Sequence, residues 1–419
     1  MGMTISEKIL ASKSGRDRVV PGELIFAKLD LVMGTDVTVP LSVSVFNELG
    51  ATKVFNPSKI ALVNDHFVPA KDVSAAELSK KMREFAEQYS IENYFEVGRS
   101  GLCHCIVPEA GLVKPGDLVI GADSHTCTYG AFGAFATGVG STDMACAWAL
   151  GESWFRVPES IKIIFKGKLP EKVGGKDLIL HAIGQLGVSG GLYCALEFAG
   201  PVIDELTLSD RLTITNMAIE AGAKTGIIEA DHKVEEFIRA HTKSPYTMHR
   251  ADSDARYLQI MEIDVSNLEP QVALPYLPSN VAPISKVDPV KVDQVVIGSC
   301  TNGRYEDFVE AAALIGNKRI ANHVRLIVIP STQSIYVQLM EEGILKTFIE
   351  AGGVISPPTC GPCIGGHMGI LAANEVGFYT TNRNFVGRNG HPTSKVYLGS
   401  PLTAAATALT GVITDPRKI

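Results

Sequence analysis

Strand-like and helix-like patterns alternate along almost the whole chain, and this alternation limits the possible folds more than any other feature. Short apolar runs predict strands over residues 59–64, 117–121, 161–166, 294–298 and 324–330, and helical patterns occupy 74–89, 305–315 and 333–340. Ser74-Ala75-Ala76-Glu77 reads as a capping box opening the first of these helices, and Ser141 as the cap of another. Strands joined to helices by short connections make parallel sheets covered by helices, the α/β class.

A chain of 419 residues is too long for one ordinary core, so two or three such lobes are expected. Pro275, Pro278, Pro283 and Pro289 lie in a stretch from Gln271 to Gln294 with no helical or alternating pattern, which predicts a linker. A weaker break falls at Val157-Pro158, giving lobes of residues 1–157, 158–285 and 286–419. The net charge of −7 comes without a long basic run, which argues against a general nucleic-acid or membrane surface. The first twenty residues lack the apolar core of a signal peptide, and no apolar run is long enough to span a bilayer. Eight cysteines in a chain of this size do not make a disulfide framework, so a reducing cytoplasm is the expected location.

Parallel sheets bind ligands beyond the carboxyl ends of their strands. Asp65-His66, Asp123-Ser124-His125 and Cys300 each follow a predicted strand. Cys300 lies in Gly298-Ser299-Cys300-Thr301-Asn302-Gly303, and Cys360 and Cys363 lie in Thr359-Cys360-Gly361-Pro362-Cys363-Ile364-Gly365. A Cys-x-x-Cys pair on a Gly-Pro turn aims two thiolates at one centre, and a distant loop adds a third. Three sulfurs plus an open position suit an iron–sulfur cube. On these residues alone two rivals stay open: a thioredoxin-like redox turn, and a zinc site with His367 as fourth ligand on the same helix as Cys363. Cys103-His104-Cys105, read as a strand, puts its cysteines on one side and His104 on the other, so the three do not share an ion. Cys127, Cys146 and Cys194 read as buried thiols.

Asp65-His66, and Asp123 with His125, each place a carboxylate beside an imidazole, which is what general acid–base chemistry needs. His104 alone reads as a core histidine. Asn216 and Glu220, spaced i and i+4 on a helix starting near Ser209, face one way, most simply toward solvent. Arg383 and Arg388 follow a strand at 378–381 and suit bidentate carboxylate binding, with a surface loop as the plain alternative. The glycines between Gly130 and Gly140 do not form Gly-x-Gly-x-x-Gly, and no Walker motif occurs, so nucleotide binding is not expected. They read as sites of close backbone packing.

Taken together these residues resemble the aconitase superfamily. The resemblance is carried by Asn64-Asp65-His66, His104, Gly121-Ala122-Asp123-Ser124-His125-Thr126, Asn216 to Glu220, Ser299-Cys300-Thr301-Asn302, Cys360-Gly361-Pro362-Cys363-Ile364-Gly365 and Asn382-Arg383-Asn384-Phe385-Val386-Gly387-Arg388, in the family's order over most of the chain. It implies an aconitase-like fold of three α/β/α lobes with mainly parallel sheets around a central cluster site. It also implies one [4Fe–4S] cluster on Cys300, Cys360 and Cys363, with one iron not ligated by cysteine. His66, oriented by Asp65, would protonate the departing hydroxyl, and His104, Asp123, His125 and Glu220 would surround the reacting water. Ser124, Asn216, Arg383 and Arg388 would bind substrate, and Asn302 and Asn382 would lie near the cluster.

Full-length members carry a further swivelling domain with a Ser-Ser-Arg turn whose serine is the base. No Ser-Ser-Arg occurs in these 419 residues. The chain therefore resembles the large subunit of the split isopropylmalate dehydratase and homoaconitase group, active in a heterodimer or heterotetramer with a small subunit that brings the swivel domain and serine. The expected substrate is a small hydroxy di- or tricarboxylate, with dehydration and rehydration of isopropylmalate in leucine biosynthesis as the leading reading. Homoaconitase or a methylmalate-type hydro-lyase is the alternative, and a non-enzymatic iron–sulfur or redox protein a remote one.

Overall fold

The computed structural model describes residues 2–419. Three sheets carry most of the strands. The first is wholly parallel, in the spatial order Asn93–Phe95, Ile60–Val63, Leu31–Thr35, Leu118–Gly121, Phe135–Gly138. The second, also parallel, runs Thr225–Ile228, Ala195–Ala199, Ser160–Lys166, Gln259–Asp264. The third has seven strands in the order Val281–Pro283, Gln271–Ala273, Lys395–Leu398, Val376–Tyr379, Gln294–Gly298, Arg325–Ile329, Val354–Ile355. Five of these are parallel, and the first two join antiparallel. Every residue of Ile60–Val63, Leu118–Gly121 and Gln294–Gly298 is buried, as expected for parallel strands covered on both faces. The α/β class with mainly parallel sheets expected from the sequence is the class observed. Among the described residues no helix is long and apolar enough to cross a membrane.

The proline-rich stretch is more than a connection. Gln271–Ala273 and Val281–Pro283 are strands of the seven-stranded sheet, so that sheet begins before residue 286. Pro283 lies on the outermost strand, where a residue without an N–H is tolerated. The helix Val73–Gln88 is capped by Asp72, whose carboxylate accepts from the Ala75 amide at 2.8 Å, and not by Ser74. Gly140, not Ser141, caps Ser141–Leu150, and the Ser141 hydroxyl instead donates to the Thr38 carbonyl at 3.5 Å. The segment holding Cys103 and Cys105 is the short helix Cys103–Glu109 and not a strand. His367 is not on a helix with Cys363, which lies in the 3-10 turn Gly361–Ile364.

Packing joins the sheets. Ile163, Leu196 and Phe198 of the second sheet share one apolar cluster with Val296, Ile329 and Leu398 of the third. In the first lobe Phe85 lies between Trp148 and Phe46, with ring centroids 4.7 and 5.7 Å away. At Gly130 the backbone lies close against the second sheet. A Cβ on Gly130 would overlap the Gly226 carbonyl of the strand Thr225–Ile228. Gly130→Ala should therefore destabilise the chain by about 1–3 kcal/mol in urea unfolding. An unchanged midpoint would mean that the turn moves aside freely.

Candidate active site

The site is assembled from loops at the carboxyl ends of parallel strands. In the first sheet, Asp65-His66 follows Ile60–Val63, and Asp123 follows Leu118–Gly121 after one residue and caps the 3-10 helix Ser124–Phe132 by accepting from the His125 amide at 2.8 Å. In the third sheet, Cys300 follows Gln294–Gly298, and Asn382 follows Val376–Tyr379, the strand paired beside it. Ser299 holds a left-handed φ of 80° immediately before Cys300, an uncommon conformation for a residue with a side chain.

These loops enclose one pocket whose wall includes Asp65, His66, Asp123, Cys300, Cys360 and Cys363. The two halves are joined through main chain: the Cys360 amide donates to the Asp65 carbonyl at 2.8 Å. Three carboxylate–imidazole pairs surround the pocket. His66 Nδ1 meets Asp65 Oδ1 at 2.7 Å, His104 Nε2 meets Asp123 Oδ1 at 2.8 Å, and His125 Nε2 meets Glu220 Oε1 at 2.8 Å. Burial disfavours the imidazolium of His66, but Asp65, Asp36 and Asp123 outweigh it and raise its pKa to about 10. Burial also opposes the charged form of Asp123, yet His104 and His125 hold its carboxyl well below the ordinary range. His104 lies in the helix Cys103–Glu109 and its Nδ1 is buried without a partner, so it is not a satisfied core histidine.

Asn216 and Glu220 do not form a solvated face: both are buried. The helix Leu208–Asn216 tightens into the 3-10 turn Met217–Ala221, which points the two residues at the pocket's partners. The Asn216 amide donates to Cys300 Sγ at 3.3 Å, and Asn382 does the same at 3.6 Å. Arg383 Nε binds both Glu220 oxygens, at 2.8 and 3.0 Å, while Arg388 Nε donates to the Cys363 carbonyl at 2.9 Å. Ser124 and Arg388 both line the pocket. Asn302 is not brought in. Its amide donates to Asp307 at 2.9 Å and to Thr213, and it lines a separate cleft of about 690 Å³. Asp36, unsingled in the sequence, belongs to the site: it is buried and accepts from the amides of Asp65, His66 and Phe67 at 2.8–3.1 Å. Its signal was its place after the strand Leu31–Thr35, beside that of Asp123.

The donor set fits an iron–sulfur centre better than zinc or a redox pair. All eight cysteines are free thiols. Cys300, Cys360 and Cys363 converge on one pocket, with side-chain amides directed at Cys300 as in the outer shell of a metal site. The hydrogen bond between Cys360 and Cys363 lowers the Cys363 thiol, helped by Arg388, His125 and Arg383, and raises Cys360 in exchange, while burial raises Cys300. His367, the fourth ligand a zinc site would want, donates from Nε2 to the Pro69 carbonyl at 3.0 Å and does not line the pocket. Cys127 and Cys194 are buried as expected, and Cys146 is half-buried.

The profile of the aconitase family (aconitate hydratase) matches residues 7–411. A Pyrococcus furiosus protein described as 3-isopropylmalate dehydratase large subunit 1 is 56% identical over 420 residues, covering 100% of this chain and 99% of its own. A Thermodesulfovibrio yellowstonii protein described as 3-isopropylmalate dehydratase large subunit is 56% identical over 419 residues, covering 100% of both. The crystal structure of Thermococcus kodakaraensis aconitase X in its holo-form aligns over 90% of this chain and 88% of its own, with 14% identity and a TM-score of 0.49.

Proposed function

The chain belongs to the aconitase family, and on that premise we propose that it works as the large subunit of a 3-isopropylmalate dehydratase, a hydro-lyase that interconverts 2- and 3-isopropylmalate in leucine biosynthesis. The observation that carries this reading is the convergence of three free thiols with three carboxylate–imidazole pairs in one pocket. Membership of the family implies a [4Fe–4S] cluster. Cys300, Cys360 and Cys363 would hold it, leaving one iron without a cysteine, and when bound it supplies a Lewis acid for the departing hydroxyl.

The chain's own residues supply the proton and the anion contacts. Asp65 fixes His66 through Nδ1, so that Nε2 is the atom left to give a proton to the hydroxyl. Two histidines, His104 and His125, with Asp123 and Glu220, hold the water released at that position. Asn216 and Asn382 steady Cys300, and Ser124 and Arg388 receive substrate carboxylate. Arg383 neutralises Glu220 and adds its remaining donors to the anion pocket. A separate small subunit with a swivel domain brings the serine base, in a heterodimer or heterotetramer.

Among the described residues Arg388 spends only Nε on protein, and lysine cannot replace a planar fork that binds a carboxylate with the rest. Arg388→Lys should raise KM for the hydroxy acid about tenfold or more with the cluster retained. Unchanged kinetics would place Arg388 outside substrate binding. The reading itself is tested by offering the assembled two-subunit enzyme 2-isopropylmalate and homoaconitate-type tricarboxylates in parallel. Turnover of isopropylmalate is expected; turnover of the tricarboxylate alone would assign the chain to the homoaconitase reaction.

A further inference from the structure

Behind the cysteine loops, away from the pocket, lies Lys176. It is the one fully buried lysine among the described residues, 1% exposed, and sits in the first turn of the helix Gly175–Leu186. A helix amino end repels a cation, and a buried ammonium normally needs a carboxylate. Lys176 has neither compensation at contact. Its Nζ donates to two neutral carbonyls, Thr380 at 2.8 Å and Thr381 at 2.7 Å, and among the described residues no ion pair forms with it.

Those carbonyls are informative. They end the strand Val376–Tyr379 and lead directly into Asn382, whose amide donates to Cys300 Sγ and whose Oδ1 accepts from Cys363 Sγ at 3.5 Å. Thr380 also bridges to Gly298, its Oγ1 lying 2.9 Å from both the Gly298 amide and carbonyl, just before Cys300. Lys176 therefore grips the loop leading to Asn382 directly, and the Cys300 loop through Thr380. We propose that Lys176 is a positioning residue of the cysteine site: its ammonium clamps the Thr380 and Thr381 carbonyls so that Asn382 stays on the thiols, and its charge balances the negative charge of the thiolate-bound cluster. This rests on the cluster assignment made above.

The electrostatics agree with the geometry. Burial pushes the Lys176 ammonium down, Asp307, Cys300, Asp177 and Cys363 oppose it, and the balance leaves the group lowered to about 7. Negative charge added at those sulfurs on cluster binding would help to keep this proton in place. In return, a fixed cation behind the sulfurs favours the more reduced, more negative cluster and so raises its potential.

The test uses the full-length chain reconstituted without oxygen, as wild type, Lys176→Met, Lys176→Gln and the exposed control Lys168→Met. Wild type should contain iron and sulfide. Both Lys176 variants should show a midpoint potential shifted negative in a spectroscopic redox titration, and Lys168→Met should not. Iron release should be about 10- to 100-fold faster in Lys176→Met. It should be slower in Lys176→Gln, which keeps a donor for one carbonyl. Potentials equal to that of the control in both Lys176 variants would overturn the proposal. Should Lys176→Met fail to fold by circular dichroism, the glutamine variant alone decides. Wild-type protein without iron and sulfide would defeat the cluster reading itself, and this proposal with it.

Discussion

Loaded with its cluster but without a partner, this chain should turn over isopropylmalate roughly two to four orders of magnitude more slowly than the assembled enzyme, the usual cost of losing one acid–base partner. The pocket explains why. Its basic groups are already committed: Asp65 to His66, Asp123 to His104, and Glu220 to His125 and Arg383. None of these carboxylates is without a partner and the unpartnered His104 Nδ1 is buried, and the sequence contains no Ser-Ser-Arg turn. The Asp123 side chain is 18% exposed, whereas those of Asp65 and Glu220 are at 1–2%, so the pocket opens on the Asp123 side. A covering subunit would also exclude water there and strengthen the remaining contacts. Mixing reconstituted chain with purified small subunit measures the effect. Full turnover by the chain alone would sink the two-subunit reading, and so would a partner that binds without restoring activity.

The second large effect is expected from Asp65→Asn. Asp65 Oδ1 receives His66 Nδ1 and Oδ2 receives the Cys103 amide at 2.7 Å, so the carboxylate both orients the proton donor and anchors the helix below it. The amide keeps the size but removes the charge that raises His66 most strongly against burial. A fall in kcat of about 10²- to 10⁴-fold is expected in the assembled enzyme, with iron content unchanged. The pH profile adds a separate signature. In the native protein His66 keeps its proton up to about 10, so an acid step through it persists to high pH. Without the carboxylate the imidazole falls toward its ordinary value near ~6.5, and the alkaline limb of activity should move down with it. A loss below tenfold, or a limb that stays put, would remove His66 from the proposed role.

Much of the scaffold was readable because local pattern and tertiary need agree. Residues 294–298 are all apolar or small except Gln294 and lie in a strand of those bounds; residues 305–315 form the expected helix. Cap residues were less readable because Asp72 and Ser74 compete within three positions, and only the folded backbone favours the carboxylate of Asp72. The pocket residues on predicted strand ends were legible for the same reason as the strands. Contacts between lobes were not. Asn216 and Glu220 look like one polar stripe until Cys300 and Arg383 are brought against them from more than 80 residues away. The direction of Asn302 depends on Asp307, one turn into the next helix, and nothing in its neighbouring residues announces it. Asp36 stands in no motif of its own; its role lies in three amides and in the charge it sets near His66, which sequence cannot place.

The main-chain bond between Cys360 and Asp65 has a consequence for how the protein is made. It ties together positions roughly 300 residues apart, as does the Thr359 hydroxyl, which reaches the same carbonyl across 294 residues. Contacts of such separation form late, after the local units have condensed. A chain still on the ribosome presents Cys300 well before Cys360 and Cys363 emerge, and domains made first fold first. On the cysteine assignment proposed above, the iron enters after synthesis is nearly complete, into a protein whose first lobe is already shaped to meet it. Nascent chains halted before residue 360 should fold their early sheets and yet take up no cluster.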